Sequence, residues 1–265
     1  MKFGCCINML GTPEDVGGLR ALEAVKRAGF DYVEVPLAEV MLLDDAAFQR
    51  LLARMEKLKL VCESCNNFFP GDIRLTGQDR DANQIQEYLL RALTRVAALG
   101  AKTVVFGSAK AKNVPDGFPM EDAWEQIGEN LRLISDTLDQ LKLPIRIAIE
   151  PICRRESNIL LTYTEGCDMA EKVNRPNIEC LVDFYHFEVE HEQLEDLRRG
   201  VLRHVHISNP DGRVFPAFGD GAGYKGFFDM LKQVGYDSCV SVEAYTKDFE
   251  TDAERALECL RSFVG

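Results

Sequence analysis

The sequence predicts a single α/β domain built as a (β/α)8 barrel, and three observations carry that reading. Short apolar, β-branched runs alternate with helical segments along the whole of residues 1–265. One phrase occurs three times, as KRAGFDYVEV, AALGAKTVVF and KQVGYDSCVSV, in which a helix tail meets a glycine and then a strand. Gly29, Gly100 and Gly235 are there placed to take the left-handed conformation that closes a helix. Finally, four strands of the second half end on potential metal ligands: Ile145–Glu150, Ile178–Asp183, Val201–His206 and Cys239–Glu243. Parallel strands joined by right-handed crossovers form either an open doubly wound sheet or a closed barrel. No glycine fingerprint follows the first strand, and functional side chains come from several strand ends, which favours the barrel.

The elements follow in order. Strand Phe3–Ile7 leads to a helix expected to start at Thr12, with Pro13 at its first position and Glu14 and Asp15 in its first turn. FDYVEVP is the second strand, Asp45–Leu58 a helix and Leu60–Cys65 the third strand. Helix Asp79–Leu99 has apolar spacing at Ile85, Leu89, Leu93 and Val96. Strand Thr103–Phe106, the loop GSAKAKNVPDGFPM and helix Glu121–Leu141 complete the first half. Helices near Glu165–Val173, Leu194–Arg199, Gly226–Val234 and Thr251–Phe263 separate and follow the last four strands. No linker or change of composition divides the chain.

Composition sets outer limits. A chain that is 46% hydrophobic can bury a large core, and a net charge of −12 offers no cationic excess to a phosphate backbone, so no nucleic-acid partner is expected. No apolar run approaches the roughly 18 to 20 residues that cross a bilayer, and MKFGCCINML does not read as a signal peptide. Nine cysteines, several within strands, fit reduced thiols in a cytoplasmic protein. Cys62 and Cys65 form C-x-x-C, but an odd offset in a strand sends the two thiols to opposite faces, and no second pair stands at zinc-ribbon spacing. Lys110 and Lys112 read as a solvated face.

All four histidines lie between positions 186 and 206. His204 and His206 share a strand face, with His206 nearer the tip and His204 deeper. Asp183 and His186 form D-x-x-H at the end of the sixth strand. Glu150 and Glu243 close the runs IAIE and VSVE, where an unpaired carboxylate would be costly, so a divalent cation is expected between these strand ends. Arg213, after HISNPDG, is placed to bind a polar ligand. From strand-end position, Cys6, Asn67, Phe68, Phe106 and Phe218 are expected to line the pocket.

FGSAKAKNVPDGF, IEPICRRESN, VDFYHF, HVHISNPDGRVFPAFGDG and SVEAY together resemble the xylose isomerase-like TIM barrels, the sugar phosphate isomerase/epimerase group, over essentially the whole chain. The nearest functional pattern is that of ketose 3-epimerases of the tagatose/psicose type. The resemblance implies one divalent metal (Mn²⁺ first, Mg²⁺ or Co²⁺ as alternatives) held by Glu150, Asp183, His206 and Glu243. It implies Glu150 and Glu243 as the acid/base pair on opposite faces of a carbon beside a carbonyl, with a cis-enediolate between the two proton transfers. His186 and Arg213 would hold substrate oxygens, Glu156 would orient His186, and the barrel would pair as a homodimer or homotetramer. One departure is Cys153-Arg154-Arg155-Glu156, where the family often carries Asn-Arg-aromatic-Glu. Neither the third nor the fourth strand tip has the histidine with which related apurinic-site endonucleases complete a three-metal cluster. Epimerisation or aldose–ketose isomerisation of a sugar is the leading expectation. Alternatives are a lyase on the same barrel (inosose dehydratase-like or C-glycoside-cleaving) and a non-catalytic sugar-binding barrel.

Overall fold

A computed structural model describes residues 1–264. Eight strands, β1 (Lys2–Cys6), β2 (Tyr32–Pro36), β3 (Cys62–Asn66), β4 (Thr103–Phe106), β5 (Arg146–Ile149), β6 (Ile178–Asp183), β7 (Leu202–Ile207) and β8 (Cys239–Val242), close into a barrel in chain order. Every neighbouring pair is parallel, including β8 with β1. The helices are α1 (Leu22–Ala28), α2 (Leu37–Met41), α3 (Asp45–Leu58), α4 (Ala82–Leu99), α5 (Ala109–Lys112), α6 (Met120–Leu141), α7 (Tyr163–Val173), α8 (Phe184–Val189), α9 (Tyr224–Gln233) and α10 (Phe249–Ser262). The expected apolar stripe of α4 is buried at Ile85, Leu89, Leu93 and Val96. Gly29, Gly100 and Gly235 all have positive φ at the helix-to-strand hinges, as the repeated phrase predicts.

The outward sides of the strands join the helices in one apolar core, and the inward sides divide the barrel interior in two. Val105, Ala148 and Leu181, from β4 to β6, form a separate buried apolar cluster. The other half is polar: Glu34, Ser64, His204, His206 and Ser241 are all buried.

Three local expectations are corrected. No helix starts at Thr12; Thr12 pairs with Asp15 in a tight bridge, a 3₁₀ turn spans Leu19–Ala21, and α1 begins at Leu22. Gly17 and Gly18 break the helical phase, Gly18 at φ +65°, and the Asp15 carboxylate accepts from the backbone N–H groups of Leu19 and Arg20 at 3.1 and 2.6 Å. The segment after β6 is divided between α8 and a 3₁₀ turn at Leu194–Arg198. Cys62 and Cys65 do not face opposite ways: their sulfurs lie 3.9 Å apart. Pairing steps from Val33–Cys62 to Glu34–Ser64, so Glu63 is an inserted bulge residue that reverses the alternation of β3.

Candidate active site

Parallel strands deliver their last residues to one end of the barrel, where loop-borne groups meet. Asp183 ends β6, His206 is the penultimate residue of β7, and Glu150 and Glu243 follow β5 and β8 directly. One ligand atom from each of the four lies within 4.8 Å of the others. His206 Nδ1 is 3.0 Å from Glu150 Oε1 and 3.4 Å from Glu243 Oε2. Arg213 Nη2 donates to Glu243 Oε2 at 2.6 Å and to Asp183 Oδ2 at 3.2 Å. The strand ends foreseen in the sequence therefore do converge.

Glu34, in the middle of β2, is the residue sequence reasoning missed. Its Oε1 lies 2.8 Å from His206 Nε2, and its Oε2 accepts from Ser64 and Ser241 hydroxyls at 2.6 and 2.5 Å and lies 2.7 Å from His204 Nε2. The available signal was a lone glutamate inside the apolar run YVEVP, the same signal that singled out Glu150 and Glu243. Its carboxyl resists burial and is nevertheless held well below the ordinary range by His206 and His204. With Nε2–H committed to Glu34, His206 turns Nδ1 toward carboxylate oxygens, which accept only. That side of the ring needs positive charge. A proton on Nδ1 supplies it, since burial lowers the imidazole but Glu34 and Glu243 outweigh it and raise the ring well above its ordinary range. A bound cation would supply it equally, three carboxylates with one imidazole suiting a hard divalent metal.

Around this cluster the site is tuned by burial and charge. Burial pushes the Asp183 carboxyl up to about 7. Burial would raise Glu243 as well, but Arg213 and His206 outweigh it and hold Glu243 well below the carboxylate range. His186 is depressed to about 3 by burial and by Arg213, so its ring is neutral. The backbone N–H of Cys153 donates to His186 Nδ1 at 3.3 Å, which leaves Nε2 as the donor, 3.6 Å from Asp183 Oδ2. The Cys153 hydrogen bond orients His186. Glu156 instead pairs with Arg213 at 3.4 Å, and Arg213 stacks 4.7 Å above the Tyr185 ring.

A cavity of about 560 Å³ opens beside these groups, lined by Glu150, Glu243, His186, Arg213 and Glu156 and by the apolar Met9, Ala38, Leu42, Phe69 and Ile152. Asn67 lines it as expected. Cys6, Phe68 and Phe106 do not: all three are buried, Cys6 with its sulfur 3.9 Å from His206 Nε2. Phe68 packs at a 33° tilt against Phe69, which takes the expected lining position, and Phe106 meets Phe69 edge-on. Phe218, 59% exposed, lies in the loop after β7 and is absent from the wall. Asn67, Ser108 and Arg213, in the loops that follow β3, β4 and β7, share positive φ, and all three line the cavity. Lys110 reaches the cavity, whereas Lys112, read as solvated, is fully buried and donates to the Glu150 carbonyl at 2.8 Å.

A closed parallel barrel with a carboxylate–imidazole cluster at the strand C-termini defines an architecture shared with known proteins. Residues 22–263 match the family model described as "Xylose isomerase-like TIM barrel", and the chain belongs to that family. It is 26% identical over 255 residues to the ketose 3-epimerase of Arthrobacter globiformis, covering 93% of this chain and 84% of that one. It is 24% identical over 260 residues to the inosose isomerase of Bacillus licheniformis, covering 92% and 90%. Among solved structures, a D-psicose 3-epimerase crystallised in the presence of D-fructose superposes with a TM-score of 0.86 at 20% identity, covering both chains fully.

Proposed function

We propose that this chain is a divalent-metal-dependent sugar epimerase acting beside a ketose carbonyl, most simply at C3. The observation that carries the reading is the convergence of Glu150, Asp183, His206 and Glu243 with Arg213, of which Glu150, Glu243 and Arg213 line the cavity. The similarity to named ketose 3-epimerases supports the same class. Glu150, Asp183, His206 and Glu243 are the residues that would hold the metal. A divalent cation there supplies Lewis acidity, lowering the barrier to removing a proton beside a carbonyl.

The remaining roles follow from the chain's own groups. Glu243 is kept ionised by Arg213 and His206, which suits it to take the α proton at neutral pH. Glu150 approaches from β5, three strands away around the barrel, and can return a proton to the opposite face. Two transfers on opposite faces invert the carbon. Return of the proton to the neighbouring carbon would give aldose–ketose isomerisation, so substrate pose selects the outcome. His186 presents Nε2–H to a substrate oxygen, and Arg213 stabilises negative charge developing beside it. Arg213 is already committed to Asp183, Glu243 and Glu156, and Lys110 is the other cation lining the cavity, so a free sugar fits better than a phosphorylated one.

Proton NMR of the Mn²⁺-reconstituted, then Mg²⁺-exchanged, protein with ketoses and inososes in D₂O tests the proposal. Deuterium at C3 with formation of the epimer, abolished in Glu243→Gln, is the expected result. Loss of water or of an aglycone would assign a lyase instead. Binding without any exchange would leave only a sugar-binding barrel.

A further inference from the structure

We infer that Glu34 is a positioning residue that fixes which nitrogen of His206 faces the metal cluster. The inference deepens the proposed function and rests on the metal site assigned there. An ionised carboxylate has about four acceptor positions, and Glu34 meets four donors: His206 Nε2, His204 Nε2, Ser64 Oγ and Ser241 Oγ, at 2.8, 2.7, 2.6 and 2.5 Å. Three of these donors meet Oε2 and one meets Oε1, so the carboxylate is engaged in orienting its neighbours, although Cys6, Glu34 and His206 lie close enough together to suggest a ligand group. Its Oε1 takes the proton on His206 Nε2 and thereby presents the Nδ1 lone pair to Glu150 and Glu243. Its Oε2 is held in turn by the two serines and His204, and Tyr32 OH lies 2.6 Å from Ser241 Oγ behind them. The carboxylate thus ties β2 to β3, β7 and β8 and orients the imidazole from behind, as partners of metal-bound histidines do.

The test compares the wild-type protein with Glu34→Gln and Ser241→Ala after chelator treatment. Calorimetric titration with Mn²⁺ reports affinity, and circular dichroism reports folding. Glu34→Gln should weaken Mn²⁺ binding on the order of 10- to 100-fold in a folded protein. Ser241→Ala, which removes one donor and leaves no unpaired charge, should weaken it a few-fold and decides the matter if Glu34→Gln does not fold. In the Mg²⁺-loaded wild-type protein, ¹⁵N–¹H spectra should place the His206 proton on Nε2, a signature that a purely structural role would not require. Unchanged Mn²⁺ affinity in a folded Glu34→Gln, unchanged affinity in Ser241→Ala should that variant have to decide, or a proton on Nδ1, would overturn the inference while leaving the proposed function in place. A wild-type protein that binds no divalent metal would instead overturn the proposed function from which this inference is drawn.

Discussion

Two residues show how closely the site depends on its immediate surroundings. Gly107, which follows β4, has no Cβ because Glu150 occupies that space: a methyl there would lie 1.9 Å from Glu150 Oε2. Gly107→Ala should therefore displace the Glu150 carboxylate, the free end of a flexible side chain, with little change in stability. A misplacement of about 1 Å can cost on the order of 100-fold, so a drop of that size in kcat/KM, measured beside the thermal midpoint, is expected. Lys112 is the second. Burial depresses its ammonium to about 8, so folding releases a proton that the unfolded chain keeps up to about 10.5. Its charge therefore burdens the native state below pH 8, and the burden is relieved as pH rises from about 8 to 10.5. Lys112→Met should flatten the rise in stability over that window relative to wild type, a difference of roughly 3 kcal/mol across it, read from urea unfolding at each pH. Neither property was legible in the sequence. A lysine is exposed by default, and the proximity of Gly107 to Glu150 exists only once β4 and β5 pair.

At the scale of elements, the alternation of strands and helices was legible because each period is local and each hinge glycine has one conformational reason to be there. The strand ends that bear Glu150, Asp183, His206 and Glu243 were legible for the same reason: a charged group closing an apolar run has few innocent explanations. What escaped depends on how strands register against one another. The bulge at Glu63 turns Cys62 and Cys65 to the same side, and no parity argument along β3 alone could reveal it. Glu34 sat inside a strand rather than at its tip and so escaped a search confined to tips. Phe218 was placed by counting from β7, but its loop carries it outward. The loop after β1 gives a testable case. Asp15 caps two N–H groups ahead of α1, and Asp15→Ala should cost about 1 kcal/mol in urea unfolding with the barrel otherwise unchanged.

For the whole molecule, barrel closure makes the candidate metal centre a shared joint: its four residues come from β5, β6, β7 and β8 or the positions just after them. A ligand that binds only the folded state adds stability in proportion to its saturation. Saturating Mn²⁺ at about 1,000 times its dissociation constant should contribute about 4 kcal/mol. For a chain of this length that is on the order of a 10 °C rise in thermal midpoint, reversed by EDTA and absent in a Glu150→Gln, Glu243→Gln double variant. Scanning calorimetry with and without the chelator measures it.

The division of the barrel interior has a historical consequence. Val105, Ala148 and Leu181 touch one another through shape alone, so that half can exchange residues of similar volume one at a time. The half built on Glu34 cannot drift in this way. Replacing its carboxylate takes an acceptor from two imidazoles and the Ser64 hydroxyl, and replacing any one donor leaves the others in place to oppose the change. A lineage can therefore remodel the apolar half and the rim loops gradually, whereas the polar half must be inherited intact or abandoned together. New cavity walls should arise from the loops that carry Asn67 and Ser108, with the polar cluster beneath them held constant.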